Sequence, residues 1–389
     1  MRSVTIVGAS LAGLSTARAL RAQSYDGRIT IVGDEVHEPY DRPPLSKDFL
    51  AGTAGLADIT LSTEDDAGLD LDWRLGIRAA RLDPTRRAVV LETGEELVSD
   101  DVVLATGARA RSLRGSALVD VHTLRTLDDA IALRADLLAG GPVVVIGAGF
   151  IGAEVASTAR ALGLDVTVVE ALPTPLAGPL GEEMGRHVAA LHADHGTKLV
   201  TGVGVVGLVG GSRPQAVRLA DGREVPGATV VVGIGATPNV EWLAGSGVTV
   251  DGGVRTDARC ATNIPGVYAV GDCACSHNPF AGEALRLEHW TNALQQPEVA
   301  AAGILGRPAT TRPAAPYFWS DQYGVRLQFA GHRRPGDTVE VVDGDPGARS
   351  FVAVYRRGDR AVAVLALNQP RLFGRLRRQL AVPEPEVVR

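Results

Sequence analysis

The 389-residue sequence contains very little cysteine and very little lysine. Its three cysteines are Cys260, Cys273 and Cys275, and no two of them form a CxxC pair. This spacing suits neither a dithiol redox centre nor a zinc site, so we expect buried, reduced thiols without redox chemistry. Lys47 and Lys198 are the only lysines, and nearly all positive charge is therefore arginine.

Long apolar runs and a basic leader segment are also missing. No run approaches the roughly 18–20 apolar residues that a membrane-spanning helix needs, and the chain opens directly on a strand-like segment. The net charge of −6 argues against nucleic acid as the main partner. We therefore expect a soluble, cytoplasmic protein with no membrane partner and no metal, and the chain length suits two or three domains.

What the sequence does contain is two similar β-α-β openings. The first runs from a strand at 4–8 through a helix at Leu11–Gln23 to a strand at 28–34. The second runs from 143–147 through a helix near Phe150–Leu162 to 165–170. Short glycine turns after continuous β-branched runs predict parallel strands that are covered on both faces.

The second opening carries an intact dinucleotide fingerprint, Gly147, Gly149 and Gly152. Such glycines permit the tight turn, the close approach of a pyrophosphate and the packing of helix on strand. The helix N-terminus then faces the phosphates. Glu170 follows 23 residues after Gly147, where its carboxylate can bind a ribose diol and repel a 2′-phosphate. This pattern predicts an NAD site.

The first opening carries a variant of the fingerprint. Gly8 and Gly13 are present, but Ser10 occupies the middle position, where its hydroxyl could donate to a phosphate. Asp34 is the matching ribose acid. We interpret this unit as a second nucleotide site.

Further strand-to-glycine turns at 102–108 and 229–239 predict where the chain passes from one nucleotide domain to the other. Strand-like sequence at 258–274 returns to the first domain, and the Pro-rich stretch 306–316 predicts a linker. Four strand-and-turn segments follow and predict a small antiparallel sheet. The resulting division is a first nucleotide-binding domain at 1–108 and 236–310, an NAD-binding domain at 109–235 and a C-terminal domain at 311–389.

Four segments resemble a known family: EPYDRPPLSKDFL (38–50), GDCA (271–274), LEHWTNA (287–293) and FWSDQYG (318–324). They are similar, in family order and over nearly the whole chain, to the oxygenase-coupled NADH-dependent ferredoxin reductases. The resemblance implies an α/β fold with two Rossmann-like dinucleotide-binding domains, as in glutathione reductase, and a small α+β C-terminal domain. It also implies FAD at the first fingerprint and NADH at the second. The expected partner is an iron–sulfur ferredoxin that feeds a haem-thiolate monooxygenase or a Rieske-type oxygenase.

The same resemblance implies roles for individual residues. Ser10 and Ala12 would lie at the FAD pyrophosphate, Asp34 at the ribose, and Asp272 would accept from the ribityl hydroxyls. The full set of expected cofactor residues is Gly8, Ser10, Ala12, Gly13, Asp34, Arg42, Lys47, Ala79, Thr106, Gly107, Arg125, Gly147, Gly149, Ile151, Gly152, Glu154, Glu170, Gly235, Gly271, Asp272, Glu288, His289, Trp290 and Trp319.

Lys47 and Glu154 are the two expected catalytic residues, and the resemblance pairs them with each other. An ammonium beside the isoalloxazine would stabilise negative charge on the flavin. The alternatives are a solvated surface lysine and an ordinary acid in the first turn of a helix. Trp319 and Trp290 could edge the flavin or line an electron exit, or Trp319 could serve core packing alone.

Charge is unevenly distributed along the chain. From position 310 onwards there are 13 arginines and 8 acids, a balance of +5, which leaves −11 for the rest. A basic C-terminal region favours docking of a small acidic ferredoxin, although solvated surface arginines would give the same count. We expect a monomer or weak dimer. The three histidines His187, His192 and His195 are interpreted as surface residues that form no metal site.

Two other functions remain open. An NADH oxidase of this fold generally has a cysteine near RPPLSK, and positions 41–50 contain none. The other alternative is an NADH-sensing flavoprotein of the apoptosis-inducing-factor type, which would signal through a conformational change.

Overall fold

A computed structural model describes residues 2–113, 121–308 and 314–380. Its first segment forms a parallel sheet and a smaller antiparallel sheet. The strands are β1 Ser3–Val7, β2 Arg28–Val32, β3 Leu71–Arg74, β4 Ala79–Asp83, β5 Ala88–Leu91, β6 Glu96–Val98, β7 Asp101–Leu104 and β8 Ala108–Ala110. The helices are α1 Leu11–Ala22, α2 Asp48–Ala51 and α3 Leu56–Ile59.

The second segment repeats this pattern. Its strands are β9 Val121–His122, β10 Val143–Ile146, β11 Val166–Glu170, β12 Lys198–Thr201, β13 Val205–Gly210, β14 Pro214–Leu219, β15 Glu224–Pro226 and β16 Thr229–Val232. Its helices are α4 Leu127–Ala139, α5 Phe150–Ala161, α6 Ala177–Leu180 and α7 Glu182–Asp194.

The chain then returns to the first sheet. The next elements are β17 Ala236–Pro238, β18 Val254–Thr256, β19 Val267–Ala269, β20 Ala274–Asn278, β21 Glu283–Arg286 and α8 Trp290–Ile304. Strand β19 pairs in parallel with β7, which completes a five-stranded sheet of order β19-β7-β1-β2-β3. Strand β17 pairs with β8 where the chain passes between the two nucleotide sheets.

The second parallel sheet has the order β12-β11-β10-β16-β9. Its strands β10 and β16 are fully buried and consist mostly of valine, as is typical of parallel strands that are covered on both faces. Helix α4 begins with a reciprocal capping box, in which Thr126 Oγ1 accepts from the Asp129 amide while the Asp129 carboxylate accepts from the Thr126 amide.

The last elements are β22 Tyr317–Gln322, β23 Val325–Gly331, β24 Thr338–Asp345, β25 Ser350–Arg357, β26 Arg360–Leu367 and α9 Pro370–Gln379. They form an antiparallel sheet of order β22-β23-β26-β25-β24. One face of this sheet packs on helix α7 through Met184, Val188, Leu327 and Phe351, and Tyr355 donates a hydrogen bond to the Leu180 carbonyl. The C-terminal sheet is therefore anchored to the second nucleotide unit.

This architecture confirms the predicted fold class. The two predicted helices after the glycine turns each end one residue earlier than expected, which is within the usual uncertainty of helix ends. The tail has five strands, one more than predicted, because FWSDQYG is itself mainly a strand. Residues 309–313 of the expected linker lie outside the described residues. In the described part of the chain, no helix is both long and apolar enough to cross a membrane.

Candidate functional site

A cavity of about 930 Å³ opens at the carboxyl ends of β1, β2 and β7. Ligands of open α/β sheets bind at this edge, and the volume lies at the upper end of the range for ligand pockets. The expected cofactor residues that line it are Gly8, Ser10, Ala12, Asp34, Arg42, Lys47, Ala79, Thr106, Gly107, Arg125, Ile151, Glu154, Asp272, Glu288, His289, Trp290 and Trp319.

The two glycine-rich turns share the same internal packing. A Cβ on Gly13 would lie 1.8 Å from the carbonyl oxygen of Gly8. A Cβ on Gly152 would lie 2.1 Å from the carbonyl oxygen of Gly147. The last glycine of each fingerprint is thus required, because the helix and the turn are in close contact there. A Cβ on Gly149 would meet nothing closer than 4.0 Å, so the space above that turn is open to a phosphate.

Ser10 belongs to a polar network beside the first turn. Its hydroxyl accepts a hydrogen bond of 3.3 Å from Arg42 Nε. The Arg42 guanidinium also contacts the Glu35 carboxylate at 2.6 Å and the Arg125 carbonyl, while Tyr40 donates to the other Glu35 oxygen. The serine therefore does not block the turn, because its side chain is held towards Arg42.

Asp272 and Arg125 form a second polar pair on the cavity wall, with Arg125 Nη2 2.6 Å from Asp272 Oδ2. Asp272 lies in a short 3-10 turn that begins at Gly271. Gly271 has a φ of +73°, and a Cβ there would lie 2.9 Å from that of Ala12. The glycine lets this turn approach the N-terminus of α1, although Gly271 does not itself line the cavity.

The ion pair predicted between Lys47 and Glu154 is present. Lys47 Nζ lies 2.7 Å from Glu154 Oε2, and the glutamate side chain is only 3% exposed. The same oxygen accepts from Ser46 Oγ at 2.6 Å, and Oε1 accepts from Ser320 Oγ at 2.6 Å and from the Asp321 amide at 3.2 Å. A carboxylate held by this many donors is well compensated for its burial.

Aromatic side chains extend from the cavity to the C-terminal sheet. Trp290 donates from Nε1 to Asp41 Oδ1 at 2.7 Å, and burial raises the pKa of Asp41 against the opposing effect of this hydrogen bond. The rings of Trp290 and Trp319 meet edge to face with centroids 5.8 Å apart. Trp319 in turn stacks on Tyr317 at 6.0 Å. Three aromatic rings thus form a continuous row from the cavity wall outwards.

The second fingerprint has a different setting, since Gly147, Gly149, Gly152 and Glu170 do not line the large cavity. The Glu170 carboxylate accepts from the Ala148 amide and the Leu172 amide, each at 2.9 Å. The Glu170 carboxylate therefore lies beside the glycine turn, at the end of β11. Its oxygens have further lone pairs that can accept hydrogen bonds from a ribose. Three large apolar side chains are exposed around this turn: Ile151, Leu172 and Ile234. Only Ile151 was expected from the sequence.

Gly235 lies beside a smaller cavity of about 400 Å³, which shares Glu288 and His289 with the large one. Burial lowers the pKa of His289 to about 4, so its ring is neutral at physiological pH. Its Nδ1 is buried and has no hydrogen-bond partner among the residues that the structure describes. A neutral ring nitrogen without a partner at the junction of two cavities is a candidate ligand contact.

Several residues of the site were not expected from the sequence. They are Glu35 and Tyr40 beside Arg42, Asp41 beneath Trp290, and Ser46, Ser320 and Asp321 around Glu154. All six lie inside or next to segments that carry the family resemblance, so the signal was present. Glu35 and Tyr40 bond within the same short segment as Arg42. The partners of the other four are distant along the chain, and only the fold brings them together.

The cysteines and one histidine bear on other predictions. Cys260, Cys273 and Cys275 are free and buried, as expected, and burial raises the pKa of Cys260 to about 12. The interpretation of His187, His192 and His195 as surface residues was wrong for His192. That ring is 2% exposed and bonds Tyr323 Oη at 2.8 Å, because α7 packs its inner face on the C-terminal sheet.

Comparison with known proteins gives a consistent result. Residues 2–297 match the pyridine nucleotide-disulphide oxidoreductase family, and residues 317–385 match the reductase C-terminal family. The chain is 39% identical to the ferredoxin–NAD(+) reductase component of the anthranilate 1,2-dioxygenase system of Burkholderia cepacia, over 98% of this chain and 95% of that protein. It is 38% identical to rhodocoxin reductase of Rhodococcus erythropolis, over 98% and 90% of the two chains.

A solved structure agrees with these relatives. The reductase in the covalent putidaredoxin reductase–putidaredoxin complex has a TM-score of 0.94 to this chain at 34% identity, covering 97% of this chain and 93% of that one. The chain belongs to the pyridine nucleotide-disulphide oxidoreductase family. Within that family it is an NADH-dependent oxidoreductase with FAD as its flavin, and the resemblance inferred from its motifs is confirmed.

The residues around the large cavity fit FAD. The N-terminus of α1 supplies N–H groups and a positive dipole end for phosphates, and Asp34 and Asp272 supply acceptors for hydroxyl groups. The Arg42 and Arg125 guanidiniums lie on the same wall, each paired with a carboxylate. Lys47 brings an ammonium to the same cavity. These groups together suit an anionic ligand that carries several hydroxyl groups.

Proposed function

We propose that this chain takes electrons from NADH and passes them singly to a small, acidic iron–sulfur ferredoxin, which feeds a haem-thiolate monooxygenase or a Rieske-type oxygenase. Bound FAD supplies the chemistry, since it accepts a hydride and can release electrons one at a time. The names of the relatives above support the ferredoxin, because one is the ferredoxin–NAD(+) reductase component of a dioxygenase system and another is a reductase joined to putidaredoxin in a complex. We further propose that the protein works in the cytoplasm as a monomer or weak dimer.

In this proposal the large cavity holds FAD. The N-terminus of α1, with Ser10 and Ala12, faces the pyrophosphate, and Asp34 binds the adenosine ribose. Asp272 accepts from the ribityl hydroxyls, and Lys47 holds its ammonium at the isoalloxazine. The remaining expected residues contribute backbone or side-chain contacts, with Ala79 at the adenine end.

NADH is proposed to bind on the second glycine turn, with its pyrophosphate over Gly149 and its ribose at Glu170. The exposed side chains of Ile151, Leu172 and Ile234 offer apolar surface for the two rings of the nucleotide. Glu154 lies one helical turn below Ile151 and fixes the Lys47 ammonium from beneath.

The division into domains is also a proposal: FAD-binding at 1–108 and 236–310, NAD-binding at 109–235, and C-terminal at 311–389. The pairing of β8 with β17 supports the two inner boundaries, because both strands lie where the chain crosses between the parallel sheets. The pairing of β19 with β7 supports the discontinuity of the first domain.

The observation that carries the proposal is the aromatic row Trp290–Trp319–Tyr317. It begins on the cavity wall and ends on the C-terminal sheet. The Arg326 guanidinium lies over the Trp319 ring at 5.7 Å, and Arg377 lies over the Tyr317 ring at 4.1 Å. The row thus ends among cations, as expected where an acidic electron acceptor docks.

Helix α9 extends this basic surface. Phe373 is buried against the C-terminal sheet and holds the helix in place. The exposed arginines of the helix are Arg371, Arg375 and Arg378. We call these three residues, with Arg326 and Arg377, the arginine face. Clustered arginines steer a small acidic protein to its site over distances of about a Debye length.

The test is to replace Arg371, Arg375 and Arg378 together by glutamine and to measure ferredoxin reduction by stopped flow. Loss of three steering charges should slow association roughly tenfold at low salt and much less at high salt. Flavin reduction by NADH should not change. The control is Arg218 and Arg223 to glutamine, which removes two charges, since these exposed arginines lie on the hairpin of β14 and β15, which packs on the second parallel sheet. Equal effects of both variants, or no effect of the first, would refute the docking surface.

The alternative functions have less support. An NADH oxidase or a disulfide reductase of this fold would need a reactive thiol at the flavin. Residues 41–50 contain no cysteine, and all three cysteines of the chain are buried. Burial also raises the pKa of Cys273, which disfavours its thiolate. A sensor that signals through a conformational change would not require the aromatic row to reach a basic surface.

A further inference from the structure

Glu154 is held from two sides by two different parts of the chain. One carboxylate oxygen accepts from Lys47 and Ser46, which precede α2. The other accepts from Ser320 and from the Asp321 amide, which belong to strand β22 of the C-terminal sheet. The two oxygens of one buried carboxylate on α5 thus connect the second nucleotide unit to the first nucleotide unit and to the C-terminal sheet.

The direction of the Ser320 hydrogen bond is fixed by Gln322. Its side-chain amide donates from Nε2 to Ser320 Oγ at 3.0 Å, so the single hydroxyl hydrogen of Ser320 is left for Glu154 Oε1 at 2.6 Å. Ser320 is 0% exposed and Gln322 is 2% exposed. Two successive hydrogen bonds, from Gln322 to Ser320 and from Ser320 to Glu154, therefore lie inside the protein, where water cannot replace them.

The same strand carries part of the aromatic row. Successive side chains of a strand point to opposite faces, so Tyr317 and Trp319 share one face of β22 while Ser320 and Gln322 share the other. Strand β22 is an edge strand of its sheet. Anything that shifts β22 therefore moves Trp319 and the hydroxyl on Glu154 together.

We propose that Ser320, oriented by Gln322, is a positioning residue that fixes Glu154 and through it the Lys47 ammonium at the flavin cavity. This inference rests on the function proposed for Lys47 and Glu154. It gives the C-terminal unit a part in electron entry from NADH as well as in electron exit. Without the Ser320 hydroxyl, one side of the carboxylate keeps only the longer bond from Asp321, and the ion pair loses its fixed geometry.

The composition of the chain provides a direct readout, because Lys47 and the exposed Lys198 are its only lysines. The FAD-loaded protein is treated with a limiting amount of an amine-acetylating reagent, and the two lysine peptides are compared by mass spectrometry. Lys198 serves as an internal standard in every sample. For Ser320→Ala, the labelling of Lys47 relative to Lys198 should rise about threefold or more, because a hydrogen bond to a charged group has been removed.

A matched control separates positioning from general docking of the C-terminal unit. Ser157 also lies on α5 and accepts from the Tyr323 amide at 2.7 Å, so it ties the same helix to the same sheet without touching Glu154. Ser157→Ala should leave the labelling ratio of Lys47 at the wild-type value. If Ser320→Ala folds poorly, the pair Ser320→Thr and Ser320→Val replaces it, since the two differ mainly by a hydroxyl. The valine variant should then label faster than the threonine variant.

Kinetics supply a second readout. Ser320→Ala should lower the rate of flavin reduction at saturating NADH while the KM for NADH changes little, and Ser320→Thr should restore that rate. An unchanged labelling ratio in Ser320→Ala, or equal ratios in Ser320→Ala and Ser157→Ala, would overturn the inference. Neither result depends on a ferredoxin, so failure of the wild-type protein to reduce any ferredoxin would instead count against the proposed function.

Discussion

Replacing Glu154 by glutamine removes the only carboxylate bonded to Lys47 in the described residues while preserving the shape of the side chain. The glutamate is 3% exposed and the lysine 19% exposed, so the ammonium would lose its partner in a largely dry site. Breaking a buried ion pair from one side costs about 3–5 kcal/mol. Because Lys47 keeps the Pro43 carbonyl at 3.1 Å and some access to solvent, we expect the low end, about 3 kcal/mol.

The kinetic consequence is measured by stopped flow, with flavin absorbance recorded after mixing with NADH. If even half of that energy is lost from the transition state, flavin reduction slows roughly tenfold, since about 1.4 kcal/mol is tenfold in rate. Lys198→Met, which removes the other lysine of the chain, should not change the rate. An unchanged rate of flavin reduction in Glu154→Gln would refute the role proposed for the pair.

The pair itself is tested by a double-mutant cycle with Lys47→Met. If both residues act through their contact, the double variant should unfold more easily by less than the sum of the single variants, with a coupling energy of about 1–3 kcal/mol. Chemical unfolding of the FAD-loaded proteins gives this number. Strict additivity would mean that the 2.7 Å contact does not stabilise the protein.

Three further predictions follow from the described contacts. Glu170→Ala should weaken NADH binding about tenfold and reduce discrimination against NADPH, measured as the ratio of kcat/KM values, because it removes both an acceptor and a negative charge; an unchanged ratio would place the ribose elsewhere. His192 has a pKa of about 4 against an ordinary 6.5, so stability should be full above pH 6.5 and fall by up to about 3 kcal/mol as the pH drops through 4. His192→Gln should flatten this dependence in thermal unfolding and the exposed His195→Gln should not, whereas equal slopes would contradict the assignment. Cys273→Ala should leave NADH-to-ferredoxin turnover unchanged, because burial disfavours its thiolate, and a severe loss would reveal a thiol relay.

Much of the fold could be predicted because its strongest signals are local. The strand, glycine turn and helix of each opening are contiguous in sequence. The pattern around Gly8 and Gly147 is therefore enough to predict these elements. The short edge strand β22 was missed as a strand, because FWSDQYG mixes aromatic and polar residues without a clear alternation. Its strand conformation is set by pairing with β23.

Many residues of the candidate site could be predicted from the sequence, but most of the contacts between distant segments could not. The Lys47–Glu154 contact was expected from the family resemblance alone, since 107 positions separate the two residues. The contribution of Ser320 to the same carboxylate was missed, because it comes from a third part of the chain. His192 was misassigned for a similar reason, as its helix carries polar residues whose burial is decided by the sheet that packs on it.

The central claim is tested most directly by mixing the FAD-loaded protein with NADH, without oxygen, in the presence of a panel of iron–sulfur ferredoxins. Reduction of the cluster is followed by its absorbance. The account predicts rapid multiple turnovers with at least one acidic ferredoxin, slowed by salt and by neutralising the arginine face. A long-lived complex with the nucleotide and negligible turnover with every ferredoxin would contradict it and favour a sensor.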